Sequence, residues 1–353
     1  MKILGIETSC DETAAAVVED GYKLLSNAVA SSMDLHAQYG GVVPEIAARS
    51  HIEAMTPTIQ QALDDADCTW DDIDGIAVTY GAGLGGSLLI GVLAARTLAI
   101  TYSKPLYACN HVEGHVYANF ITATSLPGYV PRETAPAFPM LAIIVSGGHS
   151  QLALFRDHFD YTLLGQTQDD AIGEAFDKVA KIIGLPYPGG PSVGKKAAEG
   201  NAFKYQLPKA KLDGKYDFSF SGLKTAVLRL AQAEIGEDYT FPSTKLSGRL
   251  SEAQKADIAA SFQRIAVETI VDKAKLAYEE YGPASVVIAG GVAASPELRR
   301  QLTAALPLSI EFPDLKLCTD NGAMIATLGC FKASLGQPTA DPYTLDIAPN
   351  LSM

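Results

Sequence analysis

Cysteine and positive charge are both in short supply in this 353-residue chain, and long apolar runs are missing. The five cysteines (Cys10, Cys68, Cys109, Cys318 and Cys330) are odd in number, widely scattered, and form no Cys-x-x-Cys. That pattern fits reduced thiols in a cytosolic protein better than a disulfide scaffold. Lys and Arg number 27 against 40 Asp and Glu, for a net charge of −13. Such a balance argues against autonomous, non-specific nucleic-acid binding, although a local basic surface stays possible. The apolar stretch at residues 1–6 is halted by Glu7 and lacks the hydrophobic region of a signal peptide. The run from Leu88 to Ala95 stops at Arg96, far short of a membrane span. These absences together predict a soluble, cytoplasmic protein.

What is present predicts a well-folded α/β chain: 48% hydrophobic residues, 31 Gly and 19 Pro. The length predicts about two domains or lobes. Residues 2–18 and 141–155 each read as an apolar strand, a tight polar turn, and a second apolar strand. Two such hairpins, each opening a long α/β stretch, point to a duplicated domain. A third strand-turn runs from Ser285 through Gly290 and Gly291, followed by Ser295-Pro296, a helix start. Ile258, Phe262 and Ile265 recur at helical spacing before it, so a buried helix feeds that strand. Glycine after a strand is commonplace. Three such turns in two similar halves predict the actin-like ATPase architecture, with a nucleotide in the cleft between two lobes.

Only six His occur, yet His111 and His115 stand four apart in His-Val-Glu-Gly-His. On a helix they share one face and can hold one metal ion. The same spacing also describes an ordinary solvated helix, and a third ligand is needed to decide. A zincin places its general-base Glu directly after the first His. Glu113 lies two residues from each His and points to the other side of the helix, which makes a protease of that type a poor reading.

Nine ordered motifs resemble one family. They are Gly5-Ile-Glu-Thr-Ser-Cys-Asp-Glu-Thr, Gly41-Val-Val-Pro-Glu-Ile-Ala, Asn110-His-x-x-x-His, Val145-Ser-Gly-Gly-His, Asp169-Asp-Ala-x-Gly-Glu-Ala-Phe-Asp-Lys, Tyr187-Pro-Gly-Gly-Pro, Phe218-Ser-Phe-Ser-Gly-Leu-Lys-Thr, Gly290-Gly-Val, and Cys318-Thr-Asp-Asn-Gly-Ala-Met-Ile-Ala. The sequence is similar to the TsaD group of tRNA N6-adenosine threonylcarbamoyltransferases. The resemblance implies an actin-like (ASKHA) fold whose first lobe is 1–125, completed by 325–353, and whose second is 126–324. It also implies transfer of a threonylcarbamoyl group from its adenylate to the N6 amine of adenosine 37 in tRNAs reading codons that begin with A. Implied partners are tRNA, a non-catalytic paralogue resembling TsaB and an ATPase resembling TsaE. Three positions depart from the pattern: Ala82 stands for Pro, Ser295 for Asn, and Gly194 for Asp.

The resemblance makes Asp320 the third metal ligand; position alone reads as a helix N-cap. Two imidazoles and a carboxylate suit Fe²⁺ or Zn²⁺, with Fe²⁺ favoured by the resemblance, and leave open positions for Lewis-acid work. The backbone of Val145, Ser146, Gly147, Gly148 and His149 is expected to cradle the phosphate. Asp177, Gly190 and Ser295 match nucleotide-contacting positions, although Asp177 also reads as a surface partner of Lys181. Asp11 and Glu12, in the first turn, are candidates for positioning or proton acceptance, or simply for a solvated turn. Segment 195–229 carries eight cationic side chains, among them Lys195, Lys196, Lys209, Lys211 and Lys215, against three anionic ones. Such an excess in an acidic chain predicts a tRNA phosphate surface, with Tyr205, Tyr216 and Phe218 for stacking, or else a solvated face. The rival readings are a small-molecule kinase, a non-catalytic partner subunit and a metalloprotease.

Overall fold

The computed structural model of the protein describes all 353 residues, the side chain of Ala37 excepted. It divides into two compact units, Met1–Pro136 with Glu311–Met353, and Ala137–Ile310. In the first, β1 (Lys2–Glu7), β2 (Glu12–Glu19) and β3 (Lys23–Ser31) form an antiparallel meander. Helices α1 (Met33–Ala37) and α2 (Pro44–Asp65) precede β4 (Gly75–Gly81), which pairs parallel to β1. Helix α3 (Gly85–Tyr102) leads to β5 (Leu106–Asn110), parallel to β4; α4 (His111–Tyr117) follows without a loop, and β6 (Ala123–Thr124) pairs parallel to β3 at the far edge. The six strands lie in the order β5-β4-β1-β2-β3-β6.

The second unit repeats the plan. Strands β7 (Met140–Val145) and β8 (Ser150–Asp157) form a hairpin, extended by antiparallel β9 (Asp160–Gln166). Helices α5 (Ile172–Ile183), α6 (Gly189–Ala197), α7 (Ser221–Glu234) and α8 (Glu252–Tyr281) come next. Strand β10 (Ser285–Ala289) pairs parallel to β7, as β4 does to β1, and α9 (Pro296–Ala305) ends the unit. The two hairpins, the third strand and the long buried helix are where the sequence pattern puts them.

The chain returns to the first unit with α10 (Gly322–Ser334), whose residues 322–330 are all buried. A helix buried on every side over this stretch is a core helix. Leu4 and Ile6 of β1 pack with Met55 and Ile59 of α2 and Val92 and Ala95 of α3. Strand alternation turns Gly5 to the opposite face, where α10 lies so close that a Cβ would strike the backbone of Gly322 and Ala326. Gly322 in turn abuts the backbone of Ala15.

Residues 126–136 and 311–324, expected in the second lobe, fall in the first unit. Side chains hold the two segments there: Val130 N–H donates to Asp314 Oδ2 at 2.7 Å, and Arg132 Nη1 donates to Asn119 Oδ1 at 3.1 Å and to the Glu311 carbonyl at 3.0 Å. Asp320 thus shares a unit with both His.

Helix α3 runs past Arg96 and by length and composition is sufficient to cross a membrane. Its inner face instead joins the core through Val92, Ala95 and Leu88. Arg96 donates to the carbonyls of Pro342, Tyr343 and Leu345 in the C-terminal segment. That segment continues as a strap: Ala348 N–H donates to Tyr80 at 2.7 Å, Gly83 N–H to Pro349 at 3.1 Å, and Asn110 Nδ2 to the Ser352 carbonyl at 3.1 Å.

Gly5→Ala forces α10 off the sheet and is expected to cost about 1–3 kcal/mol or more, the penalty of overpacking a well-filled core. Urea unfolding checks this against Gly147→Ala, whose new methyl meets no atom within 4 Å and which should unfold like the parent.

A candidate metal centre and a glycine-lined turn

Asn110 ends β5 and caps α4, its Oδ1 accepting from Val112 N–H at 2.8 Å and Glu113 N–H at 3.3 Å. All seven residues of α4 are buried, which removes the solvated-helix reading of the His pair. The two rings meet edge-on with centroids 4.7 Å apart. Asp320 Oδ1 lies 3.1 Å from His115 Nε2 and 3.6 Å from His111 Nε2. One ligand atom from each of the three residues lies within 4.8 Å of the others. The approach of His115 to Asp320 lacks hydrogen-bond geometry, and neither ring nitrogen of this buried His has a hydrogen-bond partner. Burying such groups unsatisfied is costly, and a cation held by the three residues would give one of the two ring nitrogens a partner. The donor set therefore fits a divalent metal.

The helix-cap alternative for Asp320 fails on geometry. Asn321 caps α10, accepting from Met324 N–H at 3.0 Å, so the neighbouring carboxylate is turned to the imidazoles. Glu113 is buried but outside the three-residue cluster, as expected from its position on α4.

Sequence reasoning missed Glu7. It is fully buried, accepting from Ser9 N–H at 2.5 Å through Oε1 and from Thr79 Oγ1 through Oε2. His111 Nδ1 lies 3.2 Å from Glu7 Oε2 and 3.0 Å from Ser9 Oγ. Burial pushes the Glu7 carboxyl up, but the charge and hydrogen bond of His111 more than offset it, leaving it below its ordinary value. Burial likewise pulls His111 down, while Asp320 and Glu7 outweigh it and hold the ring at about 9. The signal available in sequence was a lone acid closing an otherwise apolar strand.

Glu12 lies within electrostatic reach of the same centre. Burial first, then the charges of Asp320 and Asp11, push its carboxyl up to about 9, and Ser31 Oγ donates to it at 3.2 Å. The Asp11 carbonyl accepts from Ser32 N–H and Oγ, which fixes the turn that carries both acids. All five cysteines are free thiols.

In the second unit, the turn after β7 closes through Ser146 N–H to the His149 carbonyl at 2.8 Å and His149 N–H to Ser146 Oγ at 3.1 Å. A Cβ on Gly147, Gly148 or Gly190 would meet nothing within 4 Å. No internal packing demands glycine there, so the space beside these backbones is available to a ligand. Asp177 accepts from Gly189 N–H at 2.6 Å and so anchors the start of α6; burial raises its carboxyl above the ordinary value. Ser295 caps α9, its Oγ accepting from Leu298 N–H at 3.4 Å.

The basic run is less cationic than its sequence reads. Lys196 pairs with Glu199 and Glu252, Lys209 with Glu268 and Asp272, Lys215 with Glu280, and Lys204 with Asp257. Most of these carboxylates come from α8, remote in sequence, and they cancel much of the local excess. Among the described residues no ion pair engages the exposed Lys195 or Lys211. The expected stacking residues are unsuited: Phe218 and Tyr216 are buried, and Tyr216 Oη donates to Glu280 at 2.6 Å.

The family profile described as TsaD, tRNA N6-adenosine threonylcarbamoyltransferase, matches residues 23–327. The chain belongs to the TsaD family. Relatives bearing that enzyme name include one from Thermomicrobium roseum, 48% identical over 95% of this chain and 93% of its own, and one from Dehalococcoides mccartyi, 46% identical over 100% and 99%. Among solved structures, component A of the (R)-2-hydroxyglutaryl-CoA dehydratase of Acidaminococcus fermentans is 16% identical, with a TM-score of 0.50 over 95% of this chain and 99% of that one. Full-length HypF, in a phosphate- and nucleotide-bound form, is 14% identical, with a TM-score of 0.55 over 96% and 47%. These likenesses show the fold alone, and it is the actin-like ATPase fold expected for the TsaD family.

His111→Ala and His115→Ala should each lower bound metal well below the parent level with far-UV circular dichroism unchanged, read by elemental analysis after dialysis. Metal binding displaces the proton of His111, so apparent affinity should rise about tenfold per pH unit below about 9 and level off above it. A flat profile from pH 6 to 8 would show that His111 gives up no proton to the metal over that range.

Proposed function

We propose that the chain carries out the reaction that names its family, moving a threonylcarbamoyl group from its adenylate to N6 of adenosine 37 in tRNAs that read codons beginning with A. The observation that carries this reading is the convergence of His111, His115 and Asp320 in a chain matched over its length by threonylcarbamoyltransferases. A divalent cation there, Fe²⁺ by family resemblance with Zn²⁺ as the alternative, would supply Lewis-acid polarisation of a carbonyl.

A mixed anhydride is already activated, so no protein nucleophile is needed; the chain has to position the donor and handle one proton. The Val145–His149 turn and Gly190 offer backbone and open space for the phosphate and nucleoside, and Asp177 sets the Gly189-Gly190 backbone. Ser295 is the least available of the expected contacts, because its Oγ caps α9 and its N–H donates to the Val292 carbonyl. As the new C–N bond forms, the bond from the carbonyl carbon to the phosphate oxygen breaks, AMP leaves with its electron pair, and the adenosine amine sheds a proton. Asp11 and Glu12, carried by the turn that Ser32 fixes, are the candidate acceptors of that proton. For tRNA, the exposed Lys195 and Lys211 are the phosphate contacts this reading favours, with Lys196, Lys209 and Lys215 held mainly by carboxylates. So small a surface calls for protein partners, a TsaB-like paralogue and a TsaE-like ATPase, in the cytoplasm.

The direct test is nucleoside mass analysis of tRNA after incubation with the protein, Fe²⁺ and threonylcarbamoyl-adenylate; no modified adenosine with any partner combination would end the reading. Gly190→Val should weaken binding of a non-hydrolysable adenylate analogue at least tenfold while leaving the thermal midpoint in place. Reversing Lys195 and Lys211 to Glu should reduce the slope of log tRNA affinity against log salt by about 0.7–0.9 for each phosphate no longer neutralised. An unchanged slope would place the tRNA elsewhere.

A further inference from the structure

Taking the His111–His115–Asp320 metal reading as its basis, we propose that Glu7 is a positioning residue that fixes the tautomer of His111, so that only Nε2 is offered to the cation. The two oxygens of Glu7 have different duties. Oε1 accepts the backbone N–H of Ser9 at 2.5 Å; Oε2 accepts Thr79 Oγ1 and faces His111 Nδ1 at 3.2 Å. All of this is buried, with Glu7 and Thr79 fully inaccessible. A lone pair on Nδ1 pointing at a carboxylate oxygen would be repelled, so Nδ1 carries the proton. The other ring nitrogen, 3.6 Å from Asp320, is then the one with a lone pair to give once its own proton leaves. Ser9 Oγ, 3.0 Å from Nδ1, does not choose between tautomers, because a hydroxyl both donates and accepts. Glu7 makes the choice, in the manner of carboxylates that orient metal-binding imidazoles.

This assignment makes an ordering that a merely structural role would reverse. In Glu7→Gln the Ser9 N–H still requires an acceptor at the Oε1 position, so the amide NH₂ takes the Oε2 position and donates to Nδ1. The ring is driven to the Nε2–H tautomer, the one that cannot bind. In Glu7→Ala the tautomer is free, and Ser9 Oγ can still accept from Nδ1. The near-isosteric Gln should therefore bind more weakly than Ala, whereas a packing role predicts that Gln is the milder change. Zn²⁺ titration of metal-free protein against a chelator should show Glu7→Gln at least tenfold weaker than the parent and weaker than Glu7→Ala. Equal affinity of Gln and parent, or Gln milder than Ala, would overturn the proposal. Should either variant fail to fold, ¹⁵N-histidine NMR of the Zn²⁺-loaded parent decides: a protonated Nδ1 and metal-bound Nε2 on His111 support it, and the reverse assignment overturns it. A parent that binds no Zn²⁺ would instead overturn the metal reading on which this rests.

Discussion

The first unit depends on how closely one helix can lie on one sheet. Gly5 on β1 and Gly322 on α10 remove the two methyls that would hold them apart, and the backbones come into van der Waals contact. That approach fixes the height of α10 over β1 and β2, and with it the place of Asp320, two residues before the helix begins. Farther along α10, Gly329 abuts Ala77 of β4, and on α4 Gly114 abuts Ile325, so the same economy of volume repeats along the contact. A carboxylate and two imidazoles from distant parts of the sequence meet because the scaffold leaves them no slack. Close-packed interiors transmit displacements rather than absorbing them, so a lifted helix would move a ligand.

Much of this was readable from residue order. The hairpins declare themselves through apolar runs around polar turns, and the His pair through helical spacing. Asp320 was legible only through family resemblance, because an acid before Asn-Gly at a helix entrance has a commoner explanation; the deciding fact is that Asn321 takes the cap. Glu7 stayed hidden for a different reason. Its partners Thr79 and His111 are 72 and 104 residues away, and pairings at that separation leave no periodic trace.

The basic run shows the opposite error, a local signal cancelled from afar. Counted along the chain, segment 195–229 is strongly cationic; in space, α8 lays Glu252, Glu268, Asp272 and Glu280 against it. Much of what looks like a docking surface is a lysine-to-carboxylate seam tying segment 195–229 to α8. Exposed pairs of this kind add little stability each, but they decide which ammonium groups meet a phosphate first.

The C-terminal strap has a consequence for the order in which the protein is made. Asn110, which caps the helix bearing both His, is itself tethered to the carbonyl of Ser352, and Asp320 arrives only with the late return to the first unit. Domains emerging from the ribosome generally fold from the N-terminal end. Here the sheet and both imidazoles are synthesised early, but the third ligand and the last tether come after the whole second unit. The three ligands can therefore meet only after the whole second unit has been made.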